Sequence, residues 1–200
     1  MRLGVMCSGN GTNFENIVQH CPEHPVVLMI HNKRNCGAKE RAERLKIPHC
    51  HIKSKNEDDM IKLFKAWQVD LIVLAGYMKV ISPKFVKAFP NKIINIHPSL
   101  LPKYKGLHAV EQAFQSKDKE TGCTVHFVSD VLDSGKIIDQ SIVPICTGDT
   151  VDKLTYRIQQ AEHRLLPLVI NQFNETKTST KKGIRKTCKT LYCSIRWSKG

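Results

Sequence analysis

The chain has 200 residues, about two-fifths of them apolar, and a formal charge of +13. That length suits one large or two small domains, and no segment approaches the roughly 18 to 20 unbroken apolar residues of a membrane helix. The charge invites a nucleic-acid reading, but residues 174–200 alone hold eight Lys/Arg and one acid, Glu175. Much of the excess therefore sits in a Thr/Ser/Lys-rich tail, and the remainder favours anionic ligands.

Residues 2–7 form a short apolar stretch that meets the turn Ser8-Gly9-Asn10-Gly11 too soon for a secretory signal. Eight cysteines are scattered without a C-x-x-C pair or zinc spacing. Reduced thiols and a cytoplasmic location are the expectation. Cys7 and Cys123 fall within apolar strand patterns and read as small core residues.

Thr12–His20 reads as a helix with Phe14, Ile17 and Val18 on one side, and 26–30 as a buried parallel strand. A helix is expected over 37–46. Another is expected over 57–68, where Met60, Ile61, Phe64 and Trp67 recur at helical spacing. Residues 70–75 form a buried strand, Ser82-Pro83 starts a short helix, and 93–96 is a strand. After a loop at 101–106, a helix is expected over 108–116. Strands follow over 121–129 and 136–143, joined by an acidic turn. Asp149-Thr150 caps a last helix to 173. The alternation predicts an α/β fold: a mostly parallel twisted sheet with helices on both faces and an antiparallel hairpin in the C-terminal half. Residues 1–173 read as one domain, and 174–200 as a basic tail with the weak periodicity of a disordered segment.

Ser8-Gly9-Asn10-Gly11-Thr12-Asn13 joins the first strand to the first helix, where backbone N–H groups and the helix dipole favour an anion. Phe14 replaces the third glycine of a dinucleotide fingerprint, and no acid follows the second strand. A P-loop fails for want of Gly-Lys-Ser/Thr. A single phosphate fits better, against the plain alternative of a tight turn.

Asn95 and His97 share a face beyond an apolar strand, where open α/β sheets bind ligands. An amide donor can hold a developing oxyanion, and an imidazole can move protons near neutral pH. No G-x-S-x-G supplies a serine nucleophile, and Cys123 is mid-strand, so the pair suits direct attack by a substrate amine. A structural histidine fits the same spacing. Asp130 and Asp133 are equal candidates for a partner carboxylate, and both are also ordinary turn residues.

These segments resemble the phosphoribosylglycinamide formyltransferases of the folate-dependent formyltransferase superfamily. The resemblance is carried by SGNGTN (8–13), LAGYMKVISP (74–83), NIHPSLLPKYKGLH (95–108), GCTVHFVSDVLDSGKII (122–138) and AEHRLLPLVI (161–170). It implies a Rossmann-like formyltransferase fold. It also implies transfer of a formyl group from 10-formyltetrahydrofolate to the amine of glycinamide ribonucleotide in de novo purine biosynthesis, with no metal. Asn95, His97 and Asp133 match the catalytic trio, which selects Asp133 over Asp130. Gly11, Thr12 and Asn13 match the substrate-phosphate loop. Gln159 and Glu162 match residues near the ribose and glycinamide arm. Met78, Lys79, Val80, Ile81, Val128, Asp130 and Asp133 match the folate pocket, with Lys79 where many relatives carry Arg. Leu101-Pro102 is implied to be cis, and His108 and His126 read as structural or supporting. The alternative within this chemistry is formyl transfer to an amino sugar nucleotide, whose nucleotide needs room at the first loop. Expected partners are the two small substrates, with no membrane, no nucleic acid beyond weak contacts through the tail, and a monomer or homodimer.

Overall fold

The computed structural model describes residues 1–173, so the reading of 174–200 as a tail lies outside the described residues. Their order is β1 (Leu3–Cys7), α1 (Thr12–His20), β2 (Val26–His31), α2 (Gly37–Arg44), β3 (His49–His51), α3 (Glu57–Ala66), β4 (Leu71–Leu74), α4 (Pro83–Ala88), β5 (Ile93–His97), α5 (Ala109–Gln115), β6 (Glu120–Phe127), β7 (Ile137–Pro144) and α6 (Val151–Gln172). The seven strands form one sheet in the order β3-β2-β1-β4-β5-β6-β7. The first five are parallel; β6 runs antiparallel to β5, and β7 antiparallel to β6.

Strands β1 and β4 are buried along their whole length, because helices cover both faces of a parallel sheet. Leu3, Val5, Leu71 and Val73 join one core with α1, α2, α5 and α6. Met6, Ile72 and Leu74 join the other with α3 and α4. There Phe64 meets Phe85 and Phe89 edge-on, at centroid distances of 6.4 and 6.2 Å, a favoured aromatic geometry. Ser82 caps α4, its hydroxyl accepting from the Phe85 N–H at 3.3 Å ahead of Pro83.

The expected fold class is the one observed. The differences are local. Strand β3 has no counterpart among the elements expected from sequence: its three residues, His49, Cys50 and His51, carry no apolar run and pair only as an edge to β2. Helix α3 stops at Ala66, before Gln68 takes up a left-handed backbone with φ 52. The Leu101-Pro102 bond is cis.

Helix α6 runs through Pro167. Proline has no N–H, so the carbonyl four residues earlier loses its helical donor. That carbonyl belongs to His163, and the Asn16 side-chain amide of α1 donates to it. Nearby, the Cys21 thiol reaches the Pro167 carbonyl at 3.9 Å and Asn171 Nδ2 donates to the His20 carbonyl at 3.2 Å. The two helices are thus stitched along most of α1.

Candidate active site

Leaving β1, the chain turns toward β2 on one side, while β4 pairs with β1 on the other. Such a switch point opens a crevice beyond the carboxyl ends of the strands. A cavity of about 660 Å³ lies there, and every residue singled out from the sequence for catalysis or binding lines it.

The loop after β1 forms one wall. Gly11, at φ 74, caps α1, and a Cβ on it would stand 2.7 Å from the Ala38 backbone. Gly37 is equally confined, since its Cβ would meet the Asn10 carbonyl oxygen at 2.9 Å. The Ala38 N–H donates to the Gly9 carbonyl at 3.1 Å, and Arg41 Nε donates to the Asn10 carbonyl at 2.8 Å. Helix α2 therefore clamps the loop, and the first-turn amides of α1, which lack intrahelical acceptors, border the cavity with the positive end of the helix dipole. Asn13 Nδ2 donates to Glu162 Oε2 at 2.9 Å. Asn13 Oδ1 is buried and has no donor within the described residues. Burial raises the Glu162 carboxyl from 4.5 to about 7, against the opposing pull of the Asn13 bond.

At the centre, the β5–β6 register sets Asn95 opposite His126. The His126 Nδ1–H donates to the Phe127 carbonyl at 2.9 Å, and burial lowers the pKa of the ring. His126 is thus neutral, with Nε2 free to accept, and Asn95 Nδ2 donates to it at 3.2 Å. That bond fixes the Asn95 amide and leaves its second amide hydrogen to the cavity. The His97 Nε2–H donates to the Tyr104 carbonyl at 2.8 Å. Its Nδ1 therefore faces Asp133, 3.5 Å from Oδ2, with both side chains only 7% exposed. Asp133 sits at φ 46, accepts the Gly106 N–H at 2.8 Å, and holds its other oxygen 3.7 Å from His126 Nε2.

Of the two acids left open by spacing, Asp133 is the one beside the imidazole, while Asp130 is exposed at the cavity wall. Tyr104 is itself braced, since its hydroxyl donates to Asp118 at 2.7 Å and Lys103 Nζ joins the same oxygen at 2.6 Å. Burial pushes the Cys123 thiol up to about 12, so it holds no thiolate near neutral pH. The arrangement offers an amide donor, an imidazole and a carboxylate, suited to stabilising an oxyanion and moving a proton without a covalent enzyme intermediate.

The opposite wall is the loop after β4. The Met78 N–H donates to Ser8 Oγ at 2.8 Å, and the Ser8 N–H donates to the Gly76 carbonyl at 3.0 Å, tying this loop to the first one. Met78 is 59% exposed and Val80 72%, with Leu107 and Leu132 also exposed at the mouth. Apolar surface gathered at a cavity rim marks a ligand-binding groove.

The sequence gives His126 a supporting role and Ser8 a place in the first loop, but shows neither the bond from Met78 to Ser8 nor the parts of Tyr104 and Gly106. What His126 does, orienting the Asn95 amide, is detectable only once β5 and β6 are paired. The Tyr104 and Gly106 groups are backbone atoms, which no side-chain pattern reveals. Among the described residues, no group of three or more His, Cys, Asp or Glu could hold a metal ion.

A family model described as formyl transferase matches residues 1–170. The chain is 38% identical over 191 residues to a phosphoribosylglycinamide formyltransferase of Haemophilus influenzae, spanning 90% of each chain. It is 41% identical over 187 residues to the trifunctional purine biosynthetic protein adenosine-3 of Drosophila melanogaster, spanning 85% of this chain but 14% of that one. The crystal structure of glycinamide ribonucleotide transformylase 1 from Symbiobacterium toebii superposes with a TM-score of 0.85 at 40% identity, over 88% of each chain.

Proposed function

The chain belongs to the formyl transferase family, and on that premise we infer that it moves a formyl group from 10-formyltetrahydrofolate to the amine of glycinamide ribonucleotide. The products are formylglycinamide ribonucleotide and tetrahydrofolate, in de novo purine biosynthesis. The observation that carries the chemistry is the cluster of buried His97 and His126 with half-buried Asn95 and Asp133, facing one cavity with the first glycine loop.

The donor supplies an electrophilic formyl carbon. The apolar rim of Met78, Val80 and Leu132 fits a flat heteroaromatic ring, and the backbone of 78–81 and 128–133 fits its polar edge. The amides of Gly11, Thr12 and Asn13 suit the phosphate of the acceptor. Gln159 and the Asn13–Glu162 pair suit its ribose and amine-bearing arm. Asn13 Oδ1, buried without a donor among the described residues, is ready to receive one from a ligand.

Transfer joins the acceptor nitrogen to the formyl carbon and breaks that carbon's bond to the folate nitrogen. One proton leaves the amine and one reaches the departing nitrogen. The second Asn95 amide hydrogen and a protonated His97 Nδ1 stabilise the negative oxygen formed between these events. Asp133, 3.5 Å from His97 Nδ1, faces the imidazole and, through water, carries the proton between the nitrogens. His126 keeps the Asn95 amide aimed.

The 1–173 unit is read as one catalytic domain working in the cytoplasm, as a monomer or homodimer. No helix among the described residues is long and apolar enough to cross a membrane. The test is a spectroscopic assay of folate release with glycinamide ribonucleotide as acceptor, run beside an amino sugar nucleotide. Turnover with the first alone is expected. A folded protein that turns over only the sugar nucleotide would overturn the assignment.

A further inference from the structure

Residues 104–106 bridge the two ionisable groups at the centre of the site. The Tyr104 carbonyl accepts the His97 Nε2–H at 2.8 Å, and the Gly106 N–H donates to Asp133 Oδ2 at 2.8 Å. That same Asp133 oxygen faces His97 Nδ1 at 3.5 Å. Only Lys105 separates the two backbone contacts, so the position of this short segment sets the imidazole and the carboxylate together. Tyr104 stands at φ 54. Left-handed backbone is uncommon for a residue with a side chain and persists where the surroundings hold it.

What holds Tyr104 lies outside the cavity lining. Its hydroxyl donates to Asp118 Oδ2 at 2.7 Å, and Lys103 Nζ reaches the same oxygen at 2.6 Å. Asp118 follows α5 and is moored to it. The Asp118 N–H donates to Ser116 Oγ at 3.1 Å, and that hydroxyl donates to the Ala113 carbonyl at 2.7 Å. Ala113 is fully buried in the last turn of α5. Ser99 secures the backbone just before Tyr104, its hydroxyl donating to the Lys103 carbonyl at 2.6 Å. Asp118 secures the Tyr104 side chain.

On the basis of the formyl-transfer reading above, we propose that Asp118 is a positioning residue for the reaction: through the Tyr104 hydroxyl it fixes the segment that holds His97 and Asp133 to one another. Asp118 does not line the cavity, and its effect passes through one side-chain bond and one carbonyl. The bonds from Lys103 and Tyr104 hold its carboxyl below the usual carboxylate range, so it stays a charged acceptor across neutral pH. Its side chain is 30% exposed, and ion pairs so placed add little to stability. The contribution therefore falls on rate, which drops steeply when reacting groups leave their geometry.

The experiment compares Asp118→Ala, Tyr104→Phe, their combination and Asp118→Asn in the full chain, by steady-state kinetics and by proton NMR of the imidazole N–H. In Asp118→Ala and in Tyr104→Phe, kcat should fall ~10-fold or more. KM for both substrates should stay within about twofold, because the glycine loop and the apolar rim are untouched. The double variant should lose no more than either single one, as two partners of one bond do. Asp118→Asn keeps an oxygen that accepts from the Tyr104 hydroxyl and should recover most of kcat. The His97 Nε2–H, buried and bonded, should give a downfield signal slow to exchange with water. That signal should broaden in Asp118→Ala and Tyr104→Phe and persist in Asp118→Asn. Tyr104→Phe removes a single oxygen, so it decides the matter if Asp118→Ala unfolds. Losses that add in the double variant, unchanged kcat in Tyr104→Phe, or an unaltered His97 signal in that variant would each overturn the proposal. The signal is read without substrate. An unaltered protein that fails to turn over glycinamide ribonucleotide would strike the assigned reaction, while the signal still decides whether Asp118 holds His97.

Discussion

Replacing Glu162 by Gln should make the protein more stable and less active, with a stability gain that depends on pH. The Glu162 side chain is 7% exposed, and burial raises its carboxyl from 4.5 to about 7. A folded carboxyl that holds its proton to higher pH than the unfolded one makes stability fall as pH rises between those values. Below pH 4.5 neither state is ionised and nothing is lost. Above pH 7 the loss is complete, about 3 kcal/mol at ~1.36 kcal/mol per unit. Glutamine carries no charge to desolvate, and its carbonyl can still accept from Asn13 Nδ2. Denaturant unfolding of the ligand-free protein and of the variant, run at pH 5 and pH 8, measures the gap between them. That gap should widen by about 2 to 3 kcal/mol from the lower pH to the higher. A gap that stays constant would refute the reasoning, because it would mean that the carboxyl titrates alike in both states. Turnover should fall in the same variant, the usual trade between a strained polar site and stability.

Asn95→Ala, His97→Ala and Asp133→Ala should each lose at least ~10²–10³ in kcat with unchanged circular dichroism; near-normal turnover by Asp133→Ala would remove it from the mechanism. Gly11→Ala sets a side chain 2.7 Å from the Ala38 backbone at φ 74, and should raise KM for the phosphorylated acceptor far more than for the folate. Phe64→Ala empties the ring cluster on Phe85 and Phe89 and should cost about 3–5 kcal/mol of unfolding free energy, with kcat at low temperature preserved. Asn16→Ala strips the His163 carbonyl of its donor and should cost about 1–3 kcal/mol, read by thermal unfolding.

Elements with strong local signals were legible in the sequence. The runs at 26–30 and 70–75 are apolar because both of their faces are covered, and α1 and α4 announce themselves by a glycine loop and by Ser82-Pro83. Strand β3 was not legible, because His49, Cys50 and His51 acquire strand character only by pairing with β2. The site divides the same way. Asn95 and His97 stand on one strand, and their spacing declares a shared face. Choosing between Asp130 and Asp133 needs the turn after β6 to fold back, bringing Asp133 Oδ2 to 3.5 Å from His97. The orientation of both central side chains depends on atoms that carry no sequence signature: the carbonyls of Tyr104 and Phe127 and the amide of Gly106.

Pro167 shows how one absent hydrogen can aim a binding loop. A continuous helix would satisfy the His163 carbonyl by itself and have no need of a neighbour. Interrupted, it recruits Asn16, and with that bond α1 is held at one longitudinal offset against α6. Helix α1 begins where the glycine loop ends, so its angle sets where the first-turn amides point. Alanine at position 167 would improve α6 as an isolated helix and at the same time give α1 freedom to slide. The local imperfection thus works as a keying feature, and removing it would blur the spacing between the anion-facing amides of α1 and Glu162 on α6.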